Sequence, residues 1–220
     1  MKRLIQIVII LVLGSTLCEA QYINSKVLLG AEAVLAKPVG PKTSDGFSSL
    51  FANYSSGIGY SAQVEVETLQ QLFVGLEFTQ INFGNTLASA EYLMKNPSSR
   101  FTMVYGSIRY FVKSPLVSKL NYSFSASGGM VNHDLSMDRL IVSSEQEVEE
   151  PTEYKDNSWG GKVGAMICYD VHQSIQTFAE VGYSYIQADH VLYADKSFQS
   201  LSLSLGINVK LFKNKYFMYE

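Results

Sequence analysis

The residues able to do chemistry fall into a few groups. Glu145, Glu147, Glu149, Glu150, Glu153 and Asp156 lie within twelve residues of one another. Clustered carboxylates can hold a divalent cation. The run has no fixed ligand spacing, so a solvated acidic loop is the favoured reading and no metal is assigned. His133, Asp134 and Ser136 stand close together, His190 follows Asp189, and His172 stands alone. These are residue types of acyl transfer, but a triad is recognised by geometry rather than by adjacency. Neither catalysis nor a cofactor is expected. Cys168 has apolar and aromatic neighbours, Ile167 and Tyr169, and reads as a small core residue rather than a reactive thiol.

The remaining charges are more orderly. Glu65 and Glu67 share one parity, and so do Lys162 and Asp170. Such spacing belongs to strands, in which successive side chains point to opposite faces. Leu201, Leu203, Leu205, Ile207, Val209 and Leu211 alternate with Ser200, Ser202, Ser204, Gly206, Asn208 and Lys210. Eight segments repeat this pattern, near 26–36, 57–68, 72–83, 100–112, 121–131, 159–171, 175–187 and 198–211. Glu32, Glu77, Arg109, Glu180 and Lys210 fix the polar face in five of them. Apart from Arg100 at the very start of 100–112, the opposite faces carry no charge, and a one-residue slip would exchange the faces. Between the segments, 37–56, 84–99, 132–158 and 188–197 are long, whereas 69–71, 113–120 and 172–174 are short. Long and short connections alternate in this way in an up-and-down membrane barrel.

Composition and the N-terminus agree. Charged residues make up 17% of the chain and aromatics 12%, which is sparse charge for a soluble surface. The net charge of −3 gives no sign of a nucleic-acid partner. Lys2 and Arg3 precede a run from Leu4 to Leu13 that is apolar except for Gln6, and Cys18-Glu19-Ala20 ends in a small residue. This reads as a signal peptide over 1–20, leaving 21–220 as one domain. Lipidation of Cys18 is disfavoured by the bulky Leu17 before it.

Alternation alone does not say which face is inside, since a soluble barrel shares the period. The polar face is rich in Gly and Ser, which suit a narrow interior. Tyr110, Tyr122 and Tyr169 fall toward the periplasmic ends of strands, and Tyr60, Tyr183 and Tyr185 toward the outer ends. Two aromatic girdles at the lipid–water boundaries would result. The last strand carries a polar residue, a Gly and spaced hydrophobic positions, ending in Gly206, Val209, Leu211 and Phe212.

In this ending and in its architecture the chain resembles the small outer-membrane β-barrels of the OmpA-barrel, OmpX and opacity-protein type. The resemblance implies an all-β fold, an eight-stranded antiparallel up-and-down transmembrane barrel. It also implies the outer membrane of a Gram-negative bacterium, partners in outer-membrane lipid and lipopolysaccharide, and the assembly machinery as reader of the last strand. Some such barrels modify lipid A, but no motif of theirs is matched here. Glu32, Glu65, Glu67, Glu77, Arg109, Lys162, Asp170, Glu180 and Lys210 are expected inside as an ionic plug, with Arg109 against carboxylates, because an unpaired buried charge is expensive.

Phe47, Leu50, Phe51, Tyr54 and Leu140-Ile141-Val142 are expected in the long loops, where they could grip a surface ligand or host protein. The leading reading is a non-enzymatic envelope or adhesion barrel. The alternatives are a narrow channel for small or apolar solutes, then a lipid A enzyme. Intact-mass spectrometry of protein from the cell envelope should give a chain beginning at Gln21; a chain retaining residues 1–20 would refute cleavage.

Overall fold

The computed structural model describes residues 26–39, 54–85, 94–112, 119–142, 147–172, 174–187 and 197–212. They form eight strands: β1 (Lys26–Pro38), β2 (Tyr54–Leu69), β3 (Leu72–Asn85), β4 (Met94–Phe111), β5 (Leu120–Val142), β6 (Glu147–His172), β7 (Ile175–Gln187) and β8 (Ser197–Phe212). Each is antiparallel to its chain neighbour, and β1 pairs with β8 to close the barrel. Closure satisfies the backbone where lipid offers no hydrogen-bond partner.

The parity of the charges corresponds to inside and outside. Along β8, Leu201, Leu203, Leu205, Ile207, Val209 and Leu211 face out and are exposed, while Ser200, Ser202, Ser204, Asn208 and Lys210 are buried. On β6, exposed Trp159, Val163, Ile167, Tyr169 and Val171 span about the length a tilted strand needs to cross a bilayer.

The interior is less uniformly polar than the strand pattern predicts. Near the outer mouth, Val34, Ile81, Phe83, Phe101, Met103, Tyr105, Val131, Ile186 and Phe198 form one buried cluster. Toward the other end, Leu28, Phe73, Phe111, Met166, Cys168 and Phe178 form a second. The Phe101 ring stacks on Phe198 at 4.9 Å, and Phe83 meets both edge-on. Cys168 is thus a packed core residue with a free thiol.

Two connections read from the sequence as long loops are partly strand. β4 begins at Met94, within the expected 84–99 loop. β5 and β6 stay paired to Val142↔Glu147, so most of 132–158 is a hairpin. The cause is an inversion of the alternation. Within the membrane band the outward residues are apolar: Phe78, Val104, Met130 and Trp159 lie side by side across β3–β6. One step outward, the same face carries Gln80, Thr102, Asn132 and Asn157, then Asn82, Arg100, Asp134 and Lys155. There the inward face becomes apolar, with Ile81, Phe83, Phe101, Met103, Val131 and Leu135 buried. Above the lipid these strands follow the rule of a soluble sheet, so apolar residues change parity without the strand ending.

At the opposite end, Gln71 adopts a positive φ of 71° in the β2–β3 turn, and its N–H donates to Glu67 Oε1 at 3.1 Å. Gly206 is one of the tightly enclosed glycines: a Cβ there would lie 2.4 Å from Phe178 Cζ and 2.5 Å from Ala31 O. Gly206→Ala should therefore cost about 1–3 kcal/mol through overpacking. Urea unfolding in lipid vesicles tests this; an unchanged midpoint would show that the ring and backbone yield freely.

Candidate functional site

The inward charges come together at mid-barrel from six strands. Lys162 of β6 reaches Glu180 of β7 at 2.8 Å, Glu77 of β3 at 3.0 Å and Glu32 of β1 at 3.8 Å. Arg109 of β4 lies 3.3 Å from Glu65 of β2 and 3.6 Å from Glu180, all three essentially without solvent exposure. Glu180 thereby touches both cations. Thr79 Oγ1 donates to Glu77 at 3.1 Å, and Ser107 Oγ to Glu65 at 3.4 Å. This layer holds four carboxylates around two cations, so hydroxyl donors supplement the ion pairs.

A line of side-chain amides carries the network onward. Arg109 Nη2 donates to Gln63 Oε1 at 2.9 Å, and Gln63 Nε2 donates to Asn208 Oδ1 at 3.3 Å. Asn208 Nδ2 donates to Gln176 Oε1 at 3.2 Å, and Gln176 Nε2 donates to Asp170 Oδ1 at 2.8 Å. Asp170 also pairs with Lys210 at 2.5 Å. Each amide accepts from the guanidinium side and donates toward the carboxylate, so the series has one direction. Sequence reasoning missed Gln63, Asn208 and Gln176, because it tracked charge. Their inward parity was the available signal. Glu67 stands apart from the mid-barrel ion pairs, at the turn described above.

The remaining expected residues separate. Tyr60, Tyr110, Tyr122, Tyr169, Tyr183 and Tyr185 all lie on the outer surface and are exposed. The Tyr60 hydroxyl donates to Gln80 at 3.2 Å and that of Tyr183 to Gln199 at 2.8 Å, each ring standing on apolar surface with its tip on an amide. In the last strand Val209 and Leu211 face out and Gly206 faces in; the Phe212 side chain lies outside the described residues.

His133, Asp134 and Ser136 are strand residues of β5, not loop residues. Adjacent positions take opposite faces, so His133 is buried while Asp134 and Ser136 are on the outer face. The three therefore cannot form the constellation their proximity suggested. His133 Nε2 instead meets Ser99 Oγ, and its ring stacks on Phe101 at 4.2 Å. Serine beside histidine is a nucleophile–base arrangement, and here both residues are buried, with the imidazole against the aromatic cluster.

Of the acidic run, Glu147, Glu149, Glu150, Glu153 and Asp156 lie along β6 rather than in a loop. Exposed Glu153 pairs with Lys155 at 3.7 Å. Among the described residues no cluster of His, Cys, Asp and Glu could hold a metal. Glu145, Asp189, His190, Phe47, Leu50 and Phe51 fall outside the described residues, as do the side chains of Tyr54 and of 140–142.

No protein-family model matches the chain, and no curated protein matches it. Solved structures do. A major outer membrane protein of Thermus thermophilus is 13% identical, with 85% of this chain and 99% of that one covered and a TM-score of 0.56. OprG of Pseudomonas aeruginosa is 10% identical over 86% of this chain and 97% of its own, with a TM-score of 0.49. Neisserial surface protein A is 17% identical over 85% and 97%, with a TM-score of 0.45. The chain has the fold of the small outer-membrane barrels.

The ionic layer sets a stability test. Arg109→Met leaves Glu65 and Glu180 without their guanidinium and should cost about 3–5 kcal/mol. Adding Glu65→Gln should recover part of that loss. Equilibrium unfolding of both variants measures it, and a neutral Arg109→Met would show that the ion pairs are dispensable.

Proposed function

We propose that this protein is a non-conducting, non-enzymatic barrel of the bacterial outer membrane, exported by a cleaved signal peptide. It works through what it presents outside the membrane, in envelope structure or adhesion. The observation that carries this reading is the inversion of faces along β3–β6. An apolar exterior meets lipid in one band. Beyond it, β4, β5 and β6 stay paired, with a polar outer face at Thr102, Arg100, Asn132, Asp134, Asn157 and Lys155, and β5 runs twelve residues past Met130 to Val142. At roughly 3.4 Å per residue that is about 40 Å of strand beyond the lipid.

The filled interior supports the non-conducting part. Aromatic and aliphatic side chains close the outer half, the ion-pair layer occupies the middle, and the second apolar cluster lies beneath. An eight-stranded barrel is about wide enough for side chains to fill, and here rings occupy that width. The inward charges then serve as a structural plug. The tyrosines on the outer surface fit girdles at the two lipid boundaries. The exposed alternation of β8, with its inward Gly206, suits a terminal strand read by the assembly machinery.

Purified protein in planar bilayers should show no stable single-channel conductance. Discrete ion conductance would overturn the non-conducting reading and favour the narrow-channel alternative.

A further inference from the structure

The mid-barrel ion pairs do not balance. Their carboxylates are Glu32 of β1, Glu65 of β2, Glu77 of β3 and Glu180 of β7, all buried. The cations that meet them are Arg109 of β4 and Lys162 of β6. Asp170 of β6 and Lys210 of β8 lie nearer the periplasmic end and cancel each other. At this height β5 turns only the neutral Ser123, Ser125 and Ser127 inward. The buried phenol of Tyr105 and thiol of Cys168 can add negative charge but no positive charge. Full ionisation would therefore leave two negative charges unmatched.

The surroundings do not supply the difference. Thr79 and Ser107 donate hydrogen bonds to Glu77 and Glu65, which orient dipoles but cancel no charge. Among the described residues no cluster could hold a metal ion. An unmatched carboxylate in such a site is costly enough that it neutralises instead.

Geometry separates the four carboxylates into two pairs. Glu180 and Glu77 lie 2.8 Å and 3.0 Å from Lys162 Nζ, and Glu180 also reaches Arg109 at 3.6 Å. These two match the two cations. Glu32 makes the longest ion pair of the layer, 3.8 Å to Lys162. Glu65 meets Arg109 Nε through Oε1 at 3.3 Å, while its Oε2 is buried without a hydrogen-bond partner among the described residues. The β1–β2 register sets Ser61 directly opposite Glu32, and the Ser61 hydroxyl is likewise buried and unbonded among the described residues. The O–H of a protonated Glu32 thus has an acceptor in its own row.

We propose that the layer holds two protons at neutral pH, carried chiefly by Glu32 and Glu65, so that the plug is charge-neutral, tightens in acid and loosens in alkali. The protons are taken from bulk water as the barrel folds and return to it on unfolding. Because the carboxyls are coupled, both protons belong to the layer as a unit. The proposal rests on the filled, non-conducting interior, since a water-filled bore would hydrate the charges. Glutamates of the unfolded chain ionise near about pH 4.3, so at neutral pH only the folded barrel keeps these protons. Stability then falls as pH rises, by about tenfold in the folding constant per pH unit for each proton retained.

Infrared spectra of the full-length barrel in dodecyl maltoside, a detergent without an ester carbonyl, test this. The carbonyl stretch of a protonated carboxylic acid is expected at neutral pH, and carbon-13 labelling of glutamate should shift it. Glu32→Gln and Glu65→Gln should each reduce the band, and the double variant should abolish it. Glutamine has the shape of a protonated glutamic acid, so the double variant should keep its folded gel mobility. In urea unfolding between about pH 6 and 8, the wild-type folding constant should fall by up to about a hundredfold per pH unit relative to the double variant. Glu77→Gln and Glu180→Gln, which each remove a charged partner of Lys162, should destabilise the barrel instead.

Absence of the acid band at neutral pH would overturn the proposal. So would a double variant that fails to fold or that keeps the wild-type pH dependence. Stability that tracks sodium or potassium concentration, with no acid band, would assign the missing charge to bound cations and overturn it equally. Conductance in planar bilayers would sink the non-conducting reading, whereas a missing acid band in a barrel that does not conduct would sink this proposal alone.

Discussion

Lipid cannot hydrogen bond, and the rest of this molecule follows from that constraint. Every backbone group in the membrane band needs a partner within the sheet, so eight strands pair in sequence and β8 returns to β1. Closure then fixes the diameter, and the diameter fixes what can fit inside. Outward positions are released from packing and carry whatever lipid tolerates. Inward positions must satisfy one another. The ion-pair layer is a consequence: charges excluded from the lipid face gather where other charges can meet them, and Glu180 couples Lys162 to Arg109 because the barrel is too narrow to keep them apart.

Much of this was legible in the chain. Parity placed Glu32, Glu65, Glu77, Arg109, Lys162 and Glu180 on the inward face, and the strand order required no long-range inference. Distance within the interior was not legible. Nothing in the spacing of Glu67 separates it from Glu65, yet one belongs to a turn and the other to the ion-pair layer. The amides Gln63, Asn208 and Gln176 looked like ordinary polar filler until the barrel brought β2, β7 and β8 into register. The strand ends beyond the membrane were misplaced for a different reason. Val131, His133 and Leu135 continue β5 on the opposite parity from Tyr122, Phe124 and Met130, and a change of phase resembles a break when solvent is assumed constant along a strand.

The interior also shows how small and large residues depend on each other. Phe178 and Phe83 approach Gly206 and Gly57 on the adjoining strands, and the Tyr105 hydroxyl reaches Gly160 two strands away, so each side chain occupies space that another strand has ceded. Glycine on the inward face, read first as a mark of a narrow interior, is also the condition for aromatic layers within it. His133 illustrates the same economy, since its imidazole extends the stacked aromatic cluster over Phe101 while its Nε2 meets the Ser99 hydroxyl.

The row Gln80, Thr102, Asn132 and Asn157, one step beyond Phe78, Val104, Met130 and Trp159, has a consequence for where the protein can reside. It acts as a depth gauge. A bilayer with a thicker hydrocarbon region would submerge side-chain amides, whereas a thinner one would bare the indole and the methionine to water. Each ångström of mismatch costs only fractions of a kcal/mol, but the cost is shared by four adjacent strands that must shift together. The boundary written across β3–β6 therefore matches the barrel to a membrane of particular thickness, independently of any address its N-terminus carries.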